Sequence, residues 1–215
     1  MPVTSSLAVM DYGMGNLRSV ANAVRKVAPD VEVIVTSQPE HILQADRIIF
    51  PGVGAIRDCM AGILAAGFDQ VIAEVSQSKP VLAICVGMQA LLTNSEENNG
   101  VPCLNHLPGE VKLFPGGVDN NGAALKVPHM GWNTVRQRSH PLWQGIEDDS
   151  RFYFVHSYYV MPDEVSLLAG LSDYGVPFAA ALAKDNLFAT QFHPEKSHTA
   201  GLQLLSNFVQ WSGEC

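Results

Sequence analysis

Two short segments hold residues that could do covalent chemistry together. In KPVLAICVGMQALL, residues 79–92, Cys85 stands where the apolar run Val81 to Ile84 gives way to Met88, Leu91 and Leu92 at helical spacing. A side chain at such a corner is lifted out of a sheet and set against a helix N-terminus, where a thiolate is stabilised. Far downstream, ATQFHPEKS puts His193 and Glu195 two residues apart, and Pro194 biases His193 toward extended backbone. Residues i and i+2 of an extended chain share a side. The carboxylate can then hold one imidazole nitrogen while the other faces a thiol, as a cysteine nucleophile requires. On the same extended geometry Lys196 faces away from that side. Two blander readings compete: a small apolar cysteine filling the core, and a surface His beside a solvated Glu. A metal reading from His193, Glu195 and His198 lacks a second spaced ligand cluster.

Bringing residue 193 to residue 85 needs a sheet, and the first half of the chain alternates accordingly. LAVMD (7–11), VEVIV (31–35), RIIF (47–50, stopped by Pro51-Gly52) and PVLAIC (80–85) read as strands. Leu17, Val20, Ala21, Val24 and Val27 recur at helical spacing. Ile56, Met60, Ile63 and Leu64, then Phe68, Val71, Ile72 and Val75, mark one or two further helices. Strand, helix, strand with short connections predicts parallel pairing through right-handed crossovers, with helices on both faces. After about residue 100 the helical signals fade. GEVKLF, AALKV, RFYFVHSYYV, FAAALAK and LFATQF predict an antiparallel extension, and Thr199 to Trp211 a closing helix. The fold class is α/β, a mostly parallel open sheet with that extension, in one domain over 1–215.

Ligands of open α/β sheets bind beyond the carboxyl ends of the parallel strands. Three sharp turns fall there: Gly13-Met-Gly-Asn16, Pro51-Gly-Val-Gly54 and Cys85-Val-Gly87. The first has Arg18 where a dinucleotide loop needs its third glycine, VDNNGAA is no phosphate loop, and no G-x-x-x-x-G-K-[ST] occurs, so no nucleotide cofactor is expected. A net charge of −8 with no basic run argues against nucleic acid. Cys59, Cys85, Cys103 and Cys215 form no CxxC pair, which argues against a zinc site or disulfide framework. No basic-then-apolar leader opens the chain, and no apolar stretch reaches the roughly 20 residues of a membrane span. The expected compartment is the cytoplasm.

CVGMQ together with HPE resembles the class-I glutamine amidotransferases, which use a Cys-His-Glu triad. More narrowly, DYGMGNLRSV, PGVGA, HMGWN, FYFVHSYY and QFHPEKS, in this order over about residues 7–211, resemble the glutaminase subunits of imidazole glycerol phosphate synthase. One departure is Ala83, where the broad pattern has glycine two residues before the nucleophile. The segment NNGVPCLNHLPGEV is also more polar than the pattern leads one to expect.

The resemblance implies a reaction. Cys85 attacks the side-chain amide of L-glutamine, His193 takes the thiol proton and gives one to the leaving ammonia, and Glu195 holds the imidazole. The backbone N–H groups of Val53 and Val86 would bind the oxyanion. Because glycine takes either sign of φ at little cost, the Gly52–Val53 peptide is expected to turn the Val53 N–H away from Cys85 when the partner is absent. Gly52, Gln89, Glu97, Ser157 and Tyr158 match glutamine-pocket positions, with Glu96 an alternative to Glu97 for the substrate ammonium. Asn16, Tyr153 and Lys196 match an interface with a (β/α)8-barrel cyclase that consumes the ammonia in histidine biosynthesis. Cys59, Cys103 and Cys215 are expected to be replaceable. Rival readings are a glutaminase of anthranilate, pyridoxal phosphate or guanylate synthesis, a catalytically dead regulatory domain, and a stand-alone cysteine hydrolase.

Overall fold

The computed structural model describes residues 5–118, 122 and 124–214. Cys215, Asp119 to Asn121, and Ala123 at the start of the AALKV segment lie outside the described residues. The chain runs β1 (Ser6–Met10), α1 (Leu17–Val27), β2 (Glu32–Thr36), α2 (Pro39–Gln44), β3 (Arg47–Gly52), α3 (Ile56–Ala65), α4 (Phe68–Val75), β4 (Val81–Cys85) and α5 (Val86–Ala90). It continues through β5 (Asn94–Ser95), β6 (Val101–Pro102), β7 (Gly109–Leu113), β8 (His129–Thr134), β9 (Arg136–Gln137), β10 (Arg151–His156), β11 (Tyr158–Pro162), β12 (Leu168–Asp173), β13 (Pro177–Lys184), β14 (Leu187–Thr190) and α6 (His198–Gln210).

The main sheet has the order β2-β1-β3-β4-β14-β13-β11-β7-β5-β6. β2, β1, β3, β4 and β14 are mutually parallel, and β13, β11 and β7 continue antiparallel. β8 and β10 form a separate two-stranded sheet. All five residues of β4 are buried, the continuous apolar pattern of a strand covered on both faces. The helices form two groups, α1 packing on α6, and α2, α3, α4 and α5 packing among themselves. In α1 the face Val20, Ala21, Val24 is buried while Arg25 and Lys26 occupy the last turn, where cations suit the helix dipole.

Several elements differ from those expected. β3 does not stop before Pro51-Gly52 but runs through them. At that point β1 no longer pairs with β3, so the missing Pro51 N–H costs no ladder bond, and pairing continues only with β4 (Pro51 with Ile84, Gly52 with Cys85). α2, β5, β6, β8, β9 and β12 were not anticipated, and the described residues 124–127 of AALKV form no strand, only an isolated bridge from Ala124 to Val118. RFYFVHSYYV is two strands in different sheets, broken at Ser157. Leu64, one of the apolar residues that mark α3, is 57% exposed. Most consequential is LFATQF: β14 pairs antiparallel with β13 but parallel with β4, so it belongs to the parallel block. Its residues are all buried, and nothing in a run of buried residues tells which neighbour a strand will take.

The polar segment after α5 has a backbone explanation. Asn98, Asn99 and Asn105 have φ of 55°, 66° and 57°. Asparagine tolerates this left-handed region better than other side chains do.

Candidate active site

Cys85 ends β4 and precedes α5 with φ 55° and ψ −111°. Such a conformation at a non-glycine residue costs on the order of 1–3 kcal/mol and persists only where the surroundings enforce it. They do so here. A Cβ on Gly87 would stand 2.2 Å from the Phe50 carbonyl oxygen, and one on Gly52 would stand 2.7 Å from the Gly87 nitrogen. The corner is thus pressed onto β3, and only glycine fits at both contacts. Ala83 is accommodated in mid-strand, fully buried between Phe50 and Ala189. α5 is only five residues long, so what the corner offers an anion is the free N–H groups of its first turn rather than a long helix dipole.

The parallel pairing of β14 with β4 sets Thr190 beside Ile84, which delivers the following residues to the end of β4 where Cys85 lies. His193 is pinned there through its main chain. Its N–H donates to the Tyr153 carbonyl at 3.0 Å, and its own carbonyl accepts from Ser197 Oγ at 2.6 Å. Ser197 Oγ also accepts from the Tyr153 N–H at 3.0 Å, tying the turn to β10. Gly201 of α6 closes over the turn, since a Cβ there would meet the Pro194 carbonyl at 2.0 Å.

His193 Nδ1 lies 2.9 Å from Glu195 Oε1, with both side chains almost wholly buried. They do not meet by strand alternation as anticipated. Pro194–Lys196 is a single 3-10 turn closed by the Lys196 N–H on the His193 carbonyl at 3.0 Å. That turn also brings Lys196 onto the same cavity as His193 instead of turning it away. His193 Nε2 has no hydrogen-bond partner among the described residues. Burial works against a charged imidazole, yet the interactions of His193 with Cys85 and then Glu195 outweigh burial and hold its proton affinity above the ordinary histidine value. His198, the third member of the metal reading, stacks on Trp132 at 4.9 Å.

These groups open on a cavity of about 460 Å³. Val53, Val86, Gln89, Glu97, Ser157 and Tyr158 all line it, as do Asn16 and Lys196 at the carboxyl edge of the sheet. Gly52 does not. It sits behind Val53, packed on Gly87 and the Tyr12 hydroxyl. Tyr153 also stands off the cavity, with Lys196 Nζ 6.0 Å from its ring centre. The adjacent carboxylates differ in their surroundings: Glu96 is taken up by the Leu113 N–H, whereas Glu97 accepts from the Ile56 N–H at 3.2 Å and lines the cavity.

Three features were missed. Gln191, fully buried, places Nε2 3.8 Å from Cys85 Sγ and accepts at Oε1 from Gln89 Nε2 at 3.1 Å. Gln89 Nε2 also reaches the Tyr158 carbonyl at 3.1 Å. A glutamine inside an otherwise apolar run was the available signal. His156 bridges Tyr158 and His129, its two ring nitrogens 2.8 Å from the Tyr158 carbonyl and 2.9 Å from His129 Nδ1. Finally, Met130 and Trp132 are 62% and 37% exposed on β8, and Trp132 lies edge-on to Tyr153. That apolar surface adjoins the Lys196 side of the cavity, and only the pairing of β8 with β10 put it there.

The chain that carries this site is similar to known proteins along almost its whole length. The profile of the glutamine amidotransferase class-I family matches residues 8–211. The imidazole glycerol phosphate synthase subunit HisH of Nitrosococcus oceani is 60% identical over 97% of this chain and 99% of its own length. That of Acinetobacter baylyi is 59% identical over 96% of this chain and 98% of its own. Among solved structures, PurLQS from Thermotoga maritima matches with TM-score 0.71 at 17% identity, over 97% of each chain, and a glutamine amidotransferase with TM-score 0.69 at 16%, over 96% of this chain and 98% of its own. These last two speak for the fold alone. The chain belongs to the class-I glutamine amidotransferases, among the HisH subunits of imidazole glycerol phosphate synthase.

Proposed function

We propose that this chain hydrolyses L-glutamine to glutamate and ammonia at Cys85 and hands the ammonia to a (β/α)8-barrel cyclase forming imidazole glycerol phosphate in histidine biosynthesis. The observation that carries the reading is the buried His193–Glu195 pair with an unpartnered Nε2, set in one cavity with Cys85. Chemically, Cys85 Sγ adds to the amide carbon, and His193 accepts the thiol proton and returns it to the departing nitrogen. Water then cleaves the thioester, releasing glutamate. The N–H groups of Val53 and Val86 take the oxyanion, a contribution of roughly 3 kcal/mol per donor in related acyl transfers. Glu97 suits the substrate ammonium, and Gln89, Ser157 and Tyr158 its remaining polar atoms. Nucleophile, base and oxyanion donors are all protein groups, so the reaction calls for no cofactor.

Ammonia leaves through the edge where Asn16 and Lys196 stand, and the cyclase docks on the surface of Tyr153, Lys196, Met130 and Trp132. The chain works as one domain, in the cytoplasm. Among the described residues no helix is long and apolar enough to cross a membrane. The test is Cys85→Ser in the complex with the cyclase. Glutamine-dependent product formation should vanish while turnover on ammonium salts stays, because only the ammonia source is lost. Equal loss with both nitrogen sources refutes the assignment.

A further inference from the structure

Behind the cavity, two buried polar side chains take no part in the chemistry above. Tyr12 follows β1 and is 7% exposed, and Cys59 of α3 is fully buried. Tyr12 donates its hydroxyl to the Pro51 carbonyl at 2.6 Å. Cys59 donates its thiol to the Val53 carbonyl at 3.4 Å. These two carbonyls belong to the peptide groups on either side of Gly52–Val53, the peptide whose N–H is the oxyanion donor proposed above. The Tyr12 hydroxyl also lies where a Gly52 side chain would begin. Gly62 lets α3 come this close, since a Cβ on it would meet the Tyr12 carbonyl at 2.6 Å.

We infer that Tyr12 and Cys59 are positioning residues that clamp the two peptides flanking Gly52–Val53 and so fix the hinge about which the Val53 N–H turns onto the oxyanion in the complex with the cyclase. The inference rests on the glutaminase reading and adds to it a second row of residues. A backbone donor is useful to an oxyanion only if its direction is fixed before charge develops. Pro51 and Val53 stand where the β1 side of β3 has no ladder partner, so that edge of the strand is not fixed by the sheet. Side-chain donors reaching from β1 and α3 replace the missing ladder. Burial raises the proton affinity of both groups, the Cys59 thiol to about 11, so both remain protonated donors across the working pH range. The thiol that looked replaceable in the sequence thereby acquires a role.

The test uses Tyr12→Phe, Cys59→Ala and Cys59→Ser in the full chain with its cyclase, measuring glutamine kcat and KM alongside alkylation of Cys85 by iodoacetamide. Displacement of iodide by the thiolate forms no oxyanion, so it reports the Cys85–His193 pair and not the hole. We expect kcat to fall about two- to tenfold in Tyr12→Phe and in Cys59→Ala, the scale of one lost hydrogen bond, with KM and the alkylation rate unchanged. Cys59→Ser, which keeps a donor, should recover part of the loss. An unchanged kcat in both Tyr12→Phe and Cys59→Ala overturns the inference, and so does alkylation that slows in parallel with kcat. If one variant fails to fold, the other decides. A Cys85→Ala chain that still hydrolyses glutamine would defeat the underlying glutaminase reading instead, which keeps the two failures apart.

Discussion

His193 Nδ1 and Glu195 Oε1 lie 2.9 Å apart, in side chains 2% and 1% exposed, within one 3-10 turn. A pair this deeply buried is worth more as an orienting device than as an ion pair, because Glu195 fixes which ring nitrogen carries the proton. Glu195→Gln keeps the shape but offers His193 an amide in place of a carboxylate. The expected result is a fall in glutamine kcat of about 10⁴-fold, the drop seen when a triad carboxylate becomes an amide, with KM little changed. Steady-state assays with glutamine and with ammonium salts check it, and the ammonium rate should not move.

Gln191 joins Cys85 to the pocket through Gln89. Gln191→Leu removes the acceptor of the buried Gln89 amide and leaves it the Tyr158 carbonyl alone. Leaving a buried donor partly unsatisfied costs on the order of 1–3 kcal/mol. Glutamine KM should therefore rise about tenfold. A KM equal to that of the unaltered chain would show that Gln89 is held by Tyr158 alone.

Acid should destabilise the fold through its buried histidines. Burial holds His129 and His140 down to about 4 and His156 to about 3. The unfolded chain binds these protons near pH 6.5 and the native chain does not, so stability is full above about 6.5 and falls as the pH drops toward 4. His193 shifts the other way: its raised folded affinity adds stability that is fully present only below about pH 6.5, so on the way down from pH 7.5 it offsets one histidine's share of the loss but not that of all three. Tm measured from pH 7.5 to 5 should decline, and His140→Phe should flatten the decline. A Tm that is constant over this range would contradict it.

Coupling to the cyclase should depend on the outer edge of the cavity. Alone, the chain should turn over glutamine very slowly, because a partner that binds the active arrangement better shifts the population toward it. Lys196→Ala and Asn16→Ala should blunt activation by the cyclase and its ribonucleotide more than they raise glutamine KM. Trp132→Ala, which deletes an exposed aromatic, should instead weaken binding of the two chains. Calorimetric titration and glutaminase assays with and without the partner separate these effects. Rapid turnover by the lone chain would refute the coupling.

Cys85, His193 and Glu195 were legible in the sequence, and so were β1, β4, α1 and α6, because a thiol at a strand-to-helix corner and apolar residues at fixed periods are local signals. The Gly87 and Gly52 contacts that strain Cys85 to φ 55° lie in motifs that could be read, although their distances could not. What the sequence could not give was partnership. β14 reads as any buried strand, and only its parallel pairing with β4 carries Gln191 and His193 to Cys85. The 3-10 turn at Pro194 reversed the expected direction of Lys196, because one hydrogen bond to the His193 carbonyl overrides strand alternation. Tyr12 and Cys59 look like core filling until the fold sets their donors against the Pro51 and Val53 carbonyls. Local propensity therefore determined which residues could do chemistry, and long-range packing, which no short window of sequence contains, decided which of them meet.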